Sequence, residues 1–289
     1  NAVRTPGQLR ILVTVMIVAG AISAAIGIIL YVLPEHLTVR LLSTLSVVRY
    51  PSGPDVLRYI EDDPSRALRA TSTSIDPNVL GGALIFVTSI TTAQLFAERP
   101  LLSRRWLMVS IVLMGICLIL SFSRGSFFGL AVAIFILGLL RYPKLLWIGL
   151  ILLIAIYFLP FTQTYVDHYL SGLRGEDLAT QMRFGEYKDA LILISRYPWF
   201  GVGFSGTPDA DTYLGVSNVY LLIAENMSSM VLLAFLATLI THLAAGIRAL
   251  RSPRTRDRVS ATTIGLYIAV IGAMAGGLIA ESGMGALWG

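Results

Sequence analysis

Seven apolar runs constrain this chain more than any other feature: Ile11 to Val32, Val79 to Phe96, Trp106 to Phe122, Ser126 to Leu140, Leu145 to Leu159, Val219 to Ile247 and Thr262 to Ile279. Hydrocarbon offers no water to satisfy the backbone, so such segments must close their hydrogen bonds internally, as helices. About 20 apolar residues cross a roughly 30 Å core. The two runs between Ser126 and Leu159 are short and are expected to extend into their flanks. Charged residues are 13% of the 289 and hydrophobic ones 55%, with a mean hydropathy of +0.75, far from the soluble average of about 25% charged. The expectation is an all-α, polytopic transmembrane helical protein with about seven spans, a single transmembrane domain over residues 1–289. The first run exceeds the about 7 to 15 residues of a signal h-region, so it is read as a span. The chain opens on Asn1 rather than Met, in keeping with a processed chain or a fragment of a longer one.

The charges set the topology. Arg4 and Arg10 precede the first run, Arg99, Arg104 and Arg105 separate the second and third, and Arg141 and Lys144 the fourth and fifth. Arg248, Arg251, Arg254, Arg256 and Arg258 separate the sixth and seventh. Short Arg-rich connections stay in the cytoplasm. That side then holds twelve basic and two acidic residues, and the opposite side ten basic and fifteen acidic. The net charge of +5 is thereby explained as topology, with no nucleic-acid partner required. Three connections fall outside: residues 33–78, the turn at Ser123-Arg124-Gly125, and residues 161–217. Polar chemistry is concentrated on one face.

Within 33–78, Tyr50-Pro51-Ser52-Gly53-Pro54 is a turn cluster, and Pro77 biases Asp76 away from helix, so the second span is expected to start near Asn78 with that side chain as its cap. Within 161–217, Phe184, Tyr187, Ala190, Leu191 and Ile194 recur at helical spacing and predict an amphipathic helix on the membrane surface or over the spans. Arg183 falls in its expected first turn, where the helix dipole disfavours a cation. Either an ion pair with Glu186 or an anionic ligand answers that.

Gly201 to Gly206 formally match G-x-G-x-x-G, yet no strand precedes and no βαβ unit surrounds it, so the glycines are read as allowing tight backbone beside a bound headgroup. Asp209 and Asp211, and Glu61-Asp62-Asp63, are read as solvated acids, with no metal site expected. Gly125 and Gly129, and Gly272 and Gly276, have the small-xxx-small spacing of close helix contact. Lone Cys117 lies among apolar neighbours and is read as packing. Glu225 stands about two turns into the sixth run, where a carboxylate is costly and therefore pairs or functions. His242, near the inner end of that run, is read as an interhelical hydrogen-bonding residue.

The order of these residues resembles a family. Arg69, Thr73 and Pro77-Asn78, then Ser123-Arg124-Gly125 opening a span, then Arg183, Ala190, Pro198, Gly201 and Gly203, then Asn218-Val219-Tyr220-Leu221 and Glu225 are similar to the bacterial O-antigen ligase and O-antigen polymerase family over about residues 66 to 240. That resemblance implies a glycosyltransferase of the bacterial inner membrane, without cofactor or metal. Its implied partners are a lipid-linked oligosaccharide donor on undecaprenyl pyrophosphate, a lipid or glycan acceptor at the exoplasmic face, and membrane lipids. It implies catalytic roles for Arg124, Arg183 and Glu225, and substrate binding by Arg69, Asn78, Gly201, Gly203, Asn218 and Tyr220.

The chemistry agrees with the residue types. A leaving pyrophosphate gathers charge, and an enzyme without a metal needs fixed cations to stabilise it. The arginine fork binds phosphate oxygens bidentately. One departure stands out: where the family carries a histidine before the Asn-x-Tyr-Leu run, this chain has Ser217, whose hydroxyl is no general base near neutral pH. Glu225 and His168 are the candidates to replace it. A second reading, a catalytically inactive family member serving as a structural or accessory membrane subunit, follows from Ser217 and from a span count below the family's usual number.

Overall fold

The structure is a computed structural model describing residues 5–158, 163–174, 178–203, 216–251 and 261–277. It divides into two compact units, residues 1–152 with 259–276, and residues 153–258 with 277–289.

In the first unit, α1 (Pro6–Val32) opens on a capping box in which the Thr5 side chain accepts from the Gln8 amide and the Gln8 side chain returns to the Thr5 amide. It stops ahead of Pro34, and α2 (Glu35–Ser43) follows. A two-residue antiparallel ribbon, β1 (Arg58–Tyr59) with β2 (Leu68–Arg69), then leads to α3 (Pro77–Leu95), α4 (Arg104–Leu120) and α5 (Arg124–Leu140). The helix α6 (Lys144–Phe158) follows and runs across the boundary between the units at Leu152, and the first unit is completed by a helix from late in the chain, α11 (Ala261–Gly276).

Helix α3 packs on α1, α4, α5 and α11. Its mean hydropathy of 1.4 is well below the 2.5 of α1, yet 67% of its apolar window is buried against 28% for α1. A helix enclosed by protein can keep polar side chains provided they are satisfied. Ser89, Thr91 and Thr92 donate to the carbonyls of Ile85, Val87 and Thr88 at 2.7, 2.7 and 2.8 Å, and Gln94 Nε2 donates to Thr262 Oγ1 at 2.9 Å. The core around α3 gathers Ala24, Leu80, Leu84, Met114, Cys117 and Leu118.

The glycine spacing on α5 and α11 brings the two backbones together. A Cβ on Gly272 would stand 2.9 Å from both Gly129 O and Ala133 Cβ, and one on Gly276 would stand 3.3 Å from Gly125 O. Gly272→Val is therefore expected to cost about 1 to 3 kcal/mol by overpacking, read as a lower unfolding midpoint in detergent; an unchanged midpoint would show that these helices need no close contact.

The described residues of each expected run are mainly helical, and three helices among the described residues are long and apolar enough to cross a membrane: Pro6–Val32, Pro77–Leu95 and Ser229–Arg248. Arg124–Leu140 and Thr262–Gly276 are shorter apolar helices. At about 1.5 Å per residue, α4, α5 and α6, with 17, 17 and 15 residues, reach roughly 22 to 26 Å. The all-α class holds, and among the described residues three of the expected seven spans are helices long and apolar enough to cross a membrane.

The second unit holds α7 (Gln163–Arg174), α8 (Leu178–Arg196), α9 (Val219–Asn226) and α10 (Ser229–Arg251). The sixth apolar run, expected as one span, is broken at Met227-Ser228, where Ser228 takes φ 145° and its Oγ accepts from the Val231 amide at 3.2 Å. A serine three residues before a free amide is a helix start, and it overrides the continuous hydropathy of the run. Glu225 consequently lies at the end of the short α9, not two turns inside a long span.

Candidate functional site

Helix α8 turns one stripe inward. Ala190 and Leu193 are fully buried, and Arg183, Glu186 and Tyr187 are half-buried along the same i, i+3, i+7 line. Of the apolar positions expected to share a face, Ala190 is buried and Tyr187 half-buried, while Phe184 and Leu191 are 63% and 58% exposed. The helix also starts at Leu178, which moves Arg183 from the first turn to the second. The dipole argument for an anionic partner therefore lapses. What remains is a cation one turn from the Glu186 carboxylate on the inward stripe.

Glu186 reaches the entry to α9. Its Oε2 accepts from the Ser217 amide at 3.0 Å and, over a shorter contact, from Ser217 Oγ. Ser217 is buried, and the next residue, Asn218, caps α9 by accepting from the amides of Tyr220 and Leu221 at 2.9 and 3.2 Å. Asn218 was expected to bind substrate; its side-chain oxygen here satisfies the head of the helix. The Tyr220 ring lies 6.4 Å from that of Phe235 on α10. Glu225, 1% exposed, ends the same helix.

The glycine string, described as far as Gly203, closes the other end of α9. Val202 N donates to Glu225 O at 2.8 Å and Gly203 N to Asn226 O at 2.9 Å, while Gly201 N donates to Tyr197 O at 3.1 Å. The last carbonyls of a helix need partners, and this loop supplies them from outside the helix. Gly201 adopts φ 64° with Asn226 C 2.5 Å from where a Cβ would stand; Gly203 adopts φ 82° with nothing nearby. Gly201→Ala is thus expected to cost about 2 to 5 kcal/mol from left-handed strain and overpacking together, and Gly203→Ala about 1 to 2 kcal/mol from strain alone. Equal losses of thermal stability in the two variants would refute the close approach.

In the first unit, the Arg69 fork ties β2 to the end of α4 and the start of α3. Its Nε donates to Ser121 O and its Nη2 to Asn78 Oδ1, both at 2.9 Å, and beside it Ala70 N donates to Leu120 O at 2.8 Å. Asn78 is not the cap of α3: Asp76 is, accepting from the Asn78 amide at 2.6 Å and from Val79 at 3.4 Å. Pro77 occupies the first helical position, where its missing N–H costs nothing, so the aspartate before it takes the cap. Arg124 stands at the start of α5, just after Ser123, whose Oγ pairs with Ser126 Oγ at 2.7 Å. Thus Arg69, Asn78 and Arg124 belong to the first unit, and Arg183, Gly201, Gly203, Asn218, Tyr220 and Glu225 to the second.

The acids of the first loop have local duties. Glu61 pairs with Arg66 at 2.8 Å, and Asp63 accepts from the Ser65 amide at 2.9 Å, a bond that holds its carboxyl below the ordinary aspartate range. Among the described residues no His, Cys, Asp or Glu grouping could hold a metal ion. Asp209 and Asp211 lie outside the described residues. Two features escaped the sequence reading. Helix α7 was taken as loop, although Tyr165, Tyr169 and Leu173 recur at helical spacing. The bond from Ser217 to Glu186 joins positions 31 apart and leaves no sequence signal.

Residues 109–224 match the family model described as O-antigen ligase, the family that the motif order resembles. The matched segment includes Arg124, Arg183, Glu186 and Asn218. No curated protein matches the chain.

Proposed function

We propose that this protein, a member of the O-antigen ligase and polymerase family through residues 109–224, is a membrane glycosyltransferase working at the exoplasmic face. Its donor is a glycan on undecaprenyl pyrophosphate and its acceptor a hydroxyl of a lipid or glycan. The reading rests on one observation above others: along one inward stripe of α8, Arg183 lies a turn from Glu186, and Glu186 is bound by Ser217 at the head of α9. A cation for a leaving phosphate and a base for an incoming hydroxyl then share one surface.

In this reaction the acceptor oxygen bonds to the anomeric carbon, and the bond from that carbon to the pyrophosphate oxygen breaks with its electron pair. The charge arriving on the pyrophosphate calls for arginine forks, and the residues that the family resemblance offers for that role are Arg124 in the first unit and Arg183 in the second. The acceptor proton passes to a carboxylate. Of the two carboxylates on α8 and α9 considered for this role, Glu225 is 1% exposed and Glu186, which was not a candidate on sequence alone, is half-buried, so Glu186 is the one a bulky acceptor can reach. Ser217 orients Glu186 through Oε2 and leaves Oε1 for the proton. Arg69 and Asn78 steady the outer loop of the first unit beside the start of α3. Gly201, Gly203, Asn218 and Tyr220 shape the two ends of α9, next to the sugar and headgroup.

The test is transfer by the full chain in liposomes, with a polyprenyl-pyrophosphate glycan as donor and excess chelator present. Turnover undiminished by chelator is expected. Loss that magnesium restores would overturn the metal-free mechanism, and absence of transfer with every donor and acceptor tried would favour the non-catalytic subunit.

A further inference from the structure

Among the described residues of the second unit, the turn that follows α8 carries the most exposed large apolar side chain, and its place in the chain identifies what covers it. Trp199 and Phe200 are 65% and 89% exposed, with Met227 and Met230 also exposed at the neighbouring junction of α9 and α10. Pro198 O accepts from Ser229 N at 3.3 Å, which ties this turn to the first residue of α10. From Ser229, α10 runs 20 residues to Arg248 with mean hydropathy 2.2 and only 6% of its apolar window buried. Twenty residues at about 1.5 Å span a hydrocarbon core of about 30 Å. The arginines Arg248 and Arg251 mark one edge of that core, so Ser229 lies at the other edge. An aromatic pair held there stands at headgroup depth.

We propose that Tyr197-Pro198-Trp199-Phe200 is a membrane-interface anchor, with Trp199 and Phe200 seated in the headgroup and upper acyl region of the phospholipid bilayer. Indole suits that region because its ring is apolar and its N–H still finds a partner. The surface is continuous with the apolar flank of α10, where Leu233 and Ile240 are 65% and 62% exposed. Since Gly201 and Gly203 follow directly and bond to the end of α9, the anchor fixes that loop at a set depth in the interface.

The experiment reads depth, not transfer, and so stands apart from the proposed activity. Trp106, Trp147 and Trp288 are changed to Phe in the full chain, leaving Trp199 as the single fluorophore, and the protein is reconstituted in phosphatidylcholine vesicles containing lipids spin-labelled near the headgroup or in mid-chain. Stronger quenching by the shallow label than by the deep one, with weak quenching by aqueous iodide, is expected. Iodide quenching near that of a free tryptophan derivative overturns the proposal, as does shielding from both iodide and lipid labels, which would place a protein surface over the turn. If the triple replacement fails to fold, Phe200→Cys bearing a nitroxide gives the same reading. Greater accessibility to oxygen than to a polar nickel chelate is expected there, and the reverse order overturns it.

Discussion

Arg124→Ala and Arg183→Ala are each expected to lower transfer from a lipid-linked donor by about 100- to 1000-fold, the loss typical of removing one donor to a developing oxyanion. In the proposed mechanism the charge on the leaving pyrophosphate appears during bond breaking, so the effect should fall on kcat more than on KM. Lysine should rescue poorly at either position, because a point charge does not reproduce a planar fork on two phosphate oxygens. Arg183 sits in the second turn of α8 with fully buried Ala190 and Leu193 further along the same helix, so the alanine variant keeps the helix and its apolar contacts. Assay of both variants beside wild type, with insertion checked by detergent chromatography, decides the matter. Full activity in either would remove that arginine from the mechanism.

Glu186→Gln is expected to cut kcat by about 100- to 10,000-fold, the range of lost general-base catalysis, while thermal stability changes little. Glutamine keeps an oxygen that can accept from Ser217, so the link from α8 to the head of α9 survives without the proton acceptor. Ser217→Ala removes one of the two bonds onto Glu186 Oε2 and leaves the amide bond of 3.0 Å. Hydrogen bonds to a charged group are worth about 1.5 to 3 kcal/mol, so a drop of roughly 10- to 100-fold is expected. The two measurements separate a chemical role from a structural one. A Glu186→Gln variant that lost stability and activity together would assign the carboxylate to holding α9, and Glu225 would then be the base to test.

The site was legible in part, and the line between legible and illegible follows sequence distance. Asn218, a polar residue just ahead of an apolar helix, is a local pattern put to a local use, whereas the glycine pairs of α5 and α11 announce close helix contact by their spacing but not which helix they meet. Asp76 displaced Asn78 as the cap of α3 because proline fixes the first helical position, a rule that the sequence already contained. The break at Met227-Ser228 was masked by apolar residues on both sides, since hydropathy averages over a window and a two-residue interruption hardly moves it. For α8, helical spacing identified the helix but not its inner side. Phe184 and Leu191 turned outward while Arg183 and Glu186 came in, and only the neighbours of a helix fix that choice.

The sequence by itself determined the all-α class, the seven apolar segments, the resemblance to one family over part of the chain and the residue types that the proposed chemistry asks for. Each follows from composition, period or short motif, which act through local backbone physics and the demand that hydrocarbon makes on unpaired amides. Tertiary structure alone decided that Glu186 meets Ser217 across 31 positions, that Gly201 presses on the carbonyl end of α9, and that α3, the least apolar of the three helices long enough to cross a membrane, is the most enclosed of them. These depend on which surfaces meet once the chain has packed, and hydrogen bonds between distant positions carry no signature in the order of residues along it.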